Sequence, residues 1–202
     1  MKLAELTVDE YLNSLAAKRP APGGGAVAAI TTASAAALAL MALNYSLGKK
    51  ALSEFSELHD EALAGLSKLK DEAIALGDAD AKAFEQLSSL WGLAEDDPKR
   101  IAKWAKAVQG AIEVPKRVMD VGIEILNLLK RLNGAIVSNL RSDAAIAALL
   151  AETGVKSAAW NVRINLPLLE SENKATEYES QIQDILSQAA NVCCEIEQAC
   201  KV

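Results

Sequence analysis

The sequence predicts an all-α protein: a single-domain helical bundle of about seven mostly antiparallel helices over residues 1–202. Three observations predict this class. About one residue in five is alanine, a strong helix former. Only 4% of the residues are aromatic and β-branched residues are sparse, which argues against a sheet. Apolar residues also recur at helical spacing along most of the chain.

Local start and stop signals divide the chain into these helices. Thr7 and Glu10 match a capping box at the start of the first helix. Asp97 precedes a proline and is expected to cap the fourth helix, inside which Pro115 predicts a kink. Gly154 is expected to end the fifth helix. The predicted helices cover about residues 8–18, 26–47, 51–90, 98–132, 138 or 142 to 154, 155–166 and 174–201.

The charge balance and the second predicted helix exclude or weaken several classes of protein. A net charge of −6 and a pI near 5.0 argue against a general nucleic-acid binder, which needs a basic surface. The stretch from Pro20 to Gly48 carries no charge and is long enough to cross a bilayer. Its small residues contribute little insertion energy, so we expect a helix buried in a bundle or at a subunit interface.

The three cysteines and the N-terminus indicate a cytoplasmic protein. Cys193, Cys194 and Cys200 all fall in the last predicted helix, and no histidine is near them. We expect them to be packing thiols in a reducing compartment rather than metal ligands. The N-terminal residues do not resemble a signal peptide.

The loop before the second helix is the first candidate site. Its sequence from Pro20 is Pro-Ala-Pro-Gly-Gly-Gly, so Pro22, Gly23, Gly24 and Gly25 fall together before a helix start. Glycines permit close approach to a ligand, and the free N–H groups of a helix start attract negative charge. The alternative is an ordinary interhelical turn, which needs fewer glycines and prolines.

Two acidic pairs are further candidates. Asp78 and Asp80 lie inside a predicted helix, where aspartate is unfavourable, and burial would raise the pKa of either carboxyl toward neutrality. Their alternative is a solvated helix face. Ser142 and Asp143 fall near a helix start, where the dipole favours an ionised carboxylate. Plain N-capping is the alternative there.

Polar residues within apolar helices form the last group. They are Asn44, Asn161, Arg163 and Asn165, of which Asn161 and Asn165 share one helix face. Buried amides need partners, which a ligand or an internal packing network could supply. The single histidine, His59, is expected on the polar side of the third helix, with no residues nearby that suggest a catalytic triad.

Taken in order, these segments resemble the family of formiminotetrahydrofolate cyclodeaminase and methenyltetrahydrofolate cyclohydrolase. The resemblance extends over almost the whole chain. The matching segments are Pro20–Gly25 followed by the alanine-rich helix, Asn44–Lys50, Asp78–Phe84, Val114–Pro115, Ser142–Asp143, Gly154 and Asn161–Leu166.

The resemblance implies an all-helical, usually dimeric enzyme acting on the one-carbon unit that bridges N5 and N10 of tetrahydrofolate. In the deaminase direction N10 attacks the formimino carbon and ammonia leaves. In the hydrolase direction water attacks the methenyl carbon. Both routes pass through a tetrahedral carbon and need a proton moved, so a carboxyl group suits them. No metal or redox cofactor is implied.

The resemblance also implies roles for individual residues. Asp80 is the first candidate for the acid–base group, Asp143 the second, and Asp78 the alternative within the first acidic pair. The implied substrate-binding residues are Pro22, Gly23, Gly24, Gly25, Asn44, Lys49, Lys50, Arg141, Ser142, Asn161 and Asn165. Among them, Lys49, Lys50 and Arg141 are the expected charge partners of the glutamate tail.

Two other functions stay open from the sequence. Ala26 stands where the family often has serine, which leaves room for a folate-binding relative without turnover. The charge-free second helix also fits a purely structural helical oligomer.

Overall fold

The computed structural model describes residues 2–201, and within them it contains helices and no strand, which confirms the all-α class. The six α-helices are α1 (Val8–Ala16), α2 (Gly24–Ser46), α3 (Ser56–Trp91), α4 (Pro98–Arg131), α5 (Arg141–Arg163) and α6 (Glu172–Cys200). The short 3₁₀ segments are Leu3–Glu5, Lys50–Phe55, Ser138–Leu140 and Leu166–Leu168.

The expected number of seven helices is wrong by one, and the error lies at Gly154. The structure has one continuous helix, α5, where two were predicted on either side of this glycine. A Cβ atom at Gly154 would overlap the hydroxyl of Thr32 on α2. Gly154 therefore allows two helices to approach closely and does not end either of them.

The helices pack as antiparallel neighbours around α2. Gly24 of α2 lies against Asn161 of α5, whereas Thr32 lies against Gly154, so these two helices run in opposite directions. Ion pairs join α3 and α4 in the same antiparallel sense, from Glu61 to Arg131 and from Glu72 to Arg117. The remaining helix, α6, packs on α4 and α5. This arrangement agrees with the up-and-down bundle expected from the sequence.

Small side chains place α2 at the centre of the bundle. Most of its buried residues are alanines, and it packs on both α3 and α5. It is long and apolar enough to cross a membrane, but 56% of its most apolar window is buried inside the bundle. The buried part is what the sequence predicts for a core helix.

The local start signals are confirmed. Thr7 Oγ1 accepts a hydrogen bond from the Glu10 backbone N–H at 3.2 Å, and the Glu10 carboxylate accepts one from the Thr7 N–H at 2.8 Å. Asp97 caps α4 by accepting from the Lys99 N–H at 2.7 Å. The helix then runs through Pro115 to its end without interruption.

His59 is buried, not on a polar face as expected. Its Nε2–H donates to the carbonyl oxygen of Ala135 at 2.7 Å, which joins α3 to the loop after α4. Because the imidazole is used to satisfy a buried carbonyl, its role is to hold the bundle together.

Candidate active site

The main cavity lies at the end of the bundle where α2 begins. Its volume is about 740 Å³, which is large enough for a drug-sized ligand. The walls come from the loop at residues 20–23, the first turn of α2, residues 77–91 of α3 and the last turn of α5. We call this part of the bundle the cavity end.

Gly25 and Asp80 meet in this cavity. A Cβ atom at Gly25 would overlap all three atoms of the Asp80 carboxylate group, so only glycine lets this carboxylate lie against the first turn of α2. Gly77 has a similar role one turn earlier in α3, because a Cβ there would overlap Leu3 and crowd Ala29 of α2. The glycines thus bring α3 close enough to α2 to hold Asp80 at the helix start.

Burial raises the pKa of Asp80 above its ordinary value of 3.8, and it is the only cause of the shift. No neighbouring charge or hydrogen bond stabilises the ionised form in the described part of the chain. A carboxyl in this environment is able to exchange a proton closer to neutral pH than an exposed aspartate.

Asp78 lines the same cavity but already has a partner. Its Oδ1 accepts a hydrogen bond from the Leu3 backbone N–H at 2.9 Å, which ties the N-terminal 3₁₀ segment to α3. Its proposed catalytic role stays a prediction, and the contact with Leu3 gives it a structural one.

Asn161, in the last turn of α5, and Asn165, just after this helix ends, line the cavity opposite α3. The Asn165 amide nitrogen donates to the carbonyl of Ala111 at 3.1 Å, and the Asn161 amide nitrogen donates to the carbonyl of Ser157 at 3.2 Å. Asn161 Oδ1 lies 3.1 Å from the position that a Cβ at Gly24 would occupy. Neither amide oxygen accepts a hydrogen bond from residues 2–201, so each is available to accept a hydrogen bond from a ligand. The Arg163 guanidinium forms an ion pair with the Glu179 carboxylate at 2.7 Å.

The other implied site residues lie at the opposite end of the bundle, which we call the far end. Asn44 is twenty residues from Gly24 along α2, or about 30 Å. Ser142 is nineteen residues from Asn161 along α5, or about 28 Å. None of the far-end residues lines the cavity of the chain that carries it, so their roles stay predictions. They are Asn44, Lys49, Lys50, Arg141, Ser142 and Asp143.

Three further residues on the cavity wall were not assigned from the sequence. They are Lys82, Phe84 and Trp91 of α3. Phe84 and Trp91 follow Asp80 at helical spacing, so they lie along one face of α3. This spacing is visible in the sequence, but only the fold shows that this face borders a cavity.

The arrangement suits proton transfer to an uncharged or cationic ligand. The partly buried Asp80 carboxyl lies beside the backbone of a helix start, and two amide side chains lie across the cavity. Such a carboxyl can take a proton from an attacking group and return it to a leaving one. The apolar walls limit the access of water to the reacting atoms.

Comparison with known proteins points to one family. The model of the formiminotransferase-cyclodeaminase family matches residues 7–184. The chain is 32% identical over 187 residues to the methenyltetrahydrofolate cyclohydrolase of Methylorubrum extorquens, and the match covers 91% of this chain and 90% of that protein.

Two other relatives differ in length and in distance. The chain is 29% identical over 185 residues to the formimidoyltransferase-cyclodeaminase of Sus scrofa, of which it spans only 34%. The crystal structure of formiminotetrahydrofolate cyclodeaminase from Thermotoga maritima has a TM-score of 0.89 and 24% sequence identity. That match covers 97% of this chain and 96% of the other, so the fold is shared along the whole length.

Proposed function

The chain belongs to the formiminotransferase-cyclodeaminase family and is an enzyme of one-carbon folate metabolism, and we propose that it hydrolyses 5,10-methenyltetrahydrofolate. One observation carries this choice of chemistry: the Asp80 carboxyl is partly buried and lies against Gly25 in the cavity. The match to a cyclohydrolase over 90% of that protein's length supports the hydrolytic direction.

Asp80 acts as the acid–base group in this proposal. It takes a proton from the water that adds to the methenyl carbon, which gives a tetrahedral carbon carrying a hydroxyl. The bond from this carbon to N5 then breaks, N5 is protonated, and the hydroxyl loses its proton as the formyl group forms on N10. One proton is released overall, and the product is 10-formyltetrahydrofolate.

The residues at the cavity end are proposed to bind the substrate. Pro22, Gly23 and Gly24 supply a flat backbone surface for the pterin, and Asn161 and Asn165 accept hydrogen bonds from its ring N–H groups. The expectations that the enzyme needs no cofactor and is cytoplasmic are part of the proposal. Dialysis against a metal chelator should leave its rate unchanged.

Deamination is the second candidate, because the family model and the Sus scrofa relative both carry that activity in their names. N10 then attacks the formimino carbon, and Asp80 protonates the departing ammonia. The same cavity serves both reactions, since the same nitrogen atoms of the folate are involved.

A two-substrate assay tests the proposal. Hydrolysis removes the methenyl chromophore, whereas deamination of 5-formiminotetrahydrofolate creates it and releases ammonia. We expect the wild type to remove the chromophore, and Asp80→Asn to be nearly inactive. Ammonia release without hydrolysis would select the second candidate, and absence of both reactions would contradict an enzymatic role.

A homodimer is also part of the proposal. One face of α5 is free of charge and exposed, and its large apolar residues include Trp160, which is 71% exposed. The neighbouring face of α2 is equally free of charge. Exposed apolar faces of this kind mark association surfaces. The residues of the α5 face are Ile146, Leu149, Thr153, Ser157, Trp160 and Ile164.

Pairing of two α5 helices in antiparallel fashion would bring the far end of one copy beside the cavity end of the other. The symmetry axis would then pass near Thr153, so that Asp143 of one chain faces Arg163 of the second. Mixing inactive Asp80→Asn and Asp143→Asn proteins tests this, since mixed dimers would carry one intact site. No recovered activity in a confirmed mixed dimer would contradict the pairing.

A further inference from the structure

The outer part of the cavity carries an aromatic pair that the proposed reaction does not use. Phe84 and Trp91 lie on the face of α3 that continues from Asp80 toward solvent. Their ring centroids are 5.7 Å apart and their planes are nearly perpendicular, at 83°. Phe84 is 37% exposed and Trp91 is 50% exposed, so a large part of each ring is available to a ligand.

Lys82 also lines the cavity, two residues or about 3 Å beyond Asp80 along α3. Among the residues that line the cavity, all within the described 2–201, it is the only lysine or arginine. It is exposed, and it makes no ion pair with a described residue. Its flexible stem lets the ammonium group reach a carboxylate at the mouth of the cavity.

Distances along α3 match the separation between the reacting carbon and the aromatic ring of a folate. Phe84 is four residues beyond Asp80, or about 6 Å, and Trp91 is eleven residues beyond it, or about 16 Å. In the substrate, an aromatic ring is attached to N10 next to the reacting carbon, and a negatively charged glutamate follows that ring. With the reacting carbon at Asp80, the ring falls beside the aromatic pair. For the glutamate carboxylates, Lys82 is the only cation in the cavity lining within residues 2–201.

We propose that Phe84 and Trp91 bind the p-aminobenzoyl ring of the substrate and that Lys82 binds the carboxylates of its glutamate tail. The inference rests on the proposed function. Within one chain, Lys82 takes the place of the tail-binding residues expected from the sequence, because those residues are at the far end. They are Lys49, Lys50 and Arg141. Aromatic edges and faces recognise another ring, and an ammonium group recognises a carboxylate.

Binding of two related compounds separates the two parts of this site. Isothermal titration gives the Kd of tetrahydrofolate and of tetrahydropteroate, which lacks the glutamate. We expect Lys82→Gln to raise the Kd of tetrahydrofolate about fivefold and to leave the Kd of tetrahydropteroate unchanged, because only tetrahydrofolate carries the tail. Trp91→Leu and Phe84→Leu should each raise the Kd of both compounds about tenfold. Trp91→Phe, which keeps an aromatic ring, should retain most of the wild-type affinity.

Matched controls lie outside the cavity. Lys68→Gln on the same helix, Trp104→Leu on α4 and Phe55→Leu before α3 should each leave both Kd values within about twofold. Thermal melting confirms that every variant is folded. Because the aromatic contact is made in ground state and transition state alike, the cavity variants should raise KM with little change in kcat.

Three results would overturn the inference. The first is an equal loss of affinity for both compounds in Lys82→Gln. The second is an unchanged Kd in both aromatic variants. The third is that the aromatic variants lose as much affinity for tetrahydropterin, which lacks the ring, as for the two larger compounds. If the Kd values of the variants follow the expected pattern but the wild type turns over neither one-carbon substrate, the binding site is supported and the proposed function is overturned instead.

Discussion

The two ends of the bundle use polar residues in different ways. At the far end, the Ser46 hydroxyl donates to the carbonyl of Ala42 at 2.8 Å and accepts from the Val137 N–H at 3.0 Å. His59 satisfies the carbonyl of Ala135 there. At the cavity end, Asp80 is held against Gly25 with burial as the only influence on its pKa.

The difference shows how a packed bundle keeps one reactive group. Polar groups that are paired inside the protein stabilise the fold but are not free to exchange protons. A partly buried carboxyl such as Asp80 loses hydration of its ionised form, which costs stability and raises its pKa, a combination common at functional sites. We therefore expect a contrast between the paired groups around Ser46 and His59, which are structural, and Asp80 at the cavity end, which is chemical.

Among the glycine variants, the largest effect is expected from Gly25→Ala. The added methyl group overlaps the Asp80 carboxylate, and because this is the tip of a side chain, Asp80 can rotate away without unfolding the protein. We expect kcat/KM to fall by at least about 100-fold, since the acid–base group is displaced. Steady-state rates and a thermal melt measure the two effects separately.

Gly110→Ala on α4 is the matched control outside the cavity lining. A Cβ at Gly110 would meet only the Ala83 Cβ at 4.0 Å, an ordinary contact, so the rate should stay within about threefold of the wild type. Equal losses in the two variants would show that the contact between Gly25 and Asp80 is not the cause of the lost activity.

His59→Ala tests the far end. Removal of the imidazole leaves the buried carbonyl of Ala135 without its donor, so the free energy of unfolding should fall by about 2 kcal/mol. The kcat should not change, because His59 lies outside the cavity. Urea unfolding and steady-state kinetics measure both quantities. A lower kcat in a folded His59→Ala protein would contradict the division between the two ends.

A smaller effect is expected in the pH dependence of stability. The pKa of Asp80 is higher in the folded than in the unfolded chain, so ionised Asp80 destabilises the fold at neutral pH. Asp80→Asn should therefore be more stable than the wild type near pH 7. The difference should shrink as the pH falls through the raised pKa toward the ordinary value of 3.8. Urea titrations of both proteins across this range check the sign, and a difference that grows on acidification would contradict it.

Local signals made much of the fold predictable. The capping box at Thr7, the cap at Asp97 and the positive φ angles of Gly48 and Gly134 after helix ends all involve residues close together in sequence. The role of Gly154 could not be predicted in this way, because it depends on Thr32, more than a hundred residues earlier.

The candidate site was predictable only in part for the same reason. Asp80 and the glycine loop were chosen as separate candidates, and the fold brings them together. The sequence does not show which end of a long helix shares a cavity with which loop. The sequence points to Lys49 and Lys50 for the tail, which stays a prediction, and it does not single out Lys82, which lies on the cavity wall.

The rate of Asp80→Asn with 5,10-methenyltetrahydrofolate tests the central claim most directly. The change removes the proton-exchanging group with almost no change in shape, so binding of tetrahydrofolate should remain. We predict that kcat falls by about 10²- to 10⁴-fold while the Kd of tetrahydrofolate changes by less than about threefold. A kcat equal to that of the wild type would show that the Asp80 carboxyl does not move the proton.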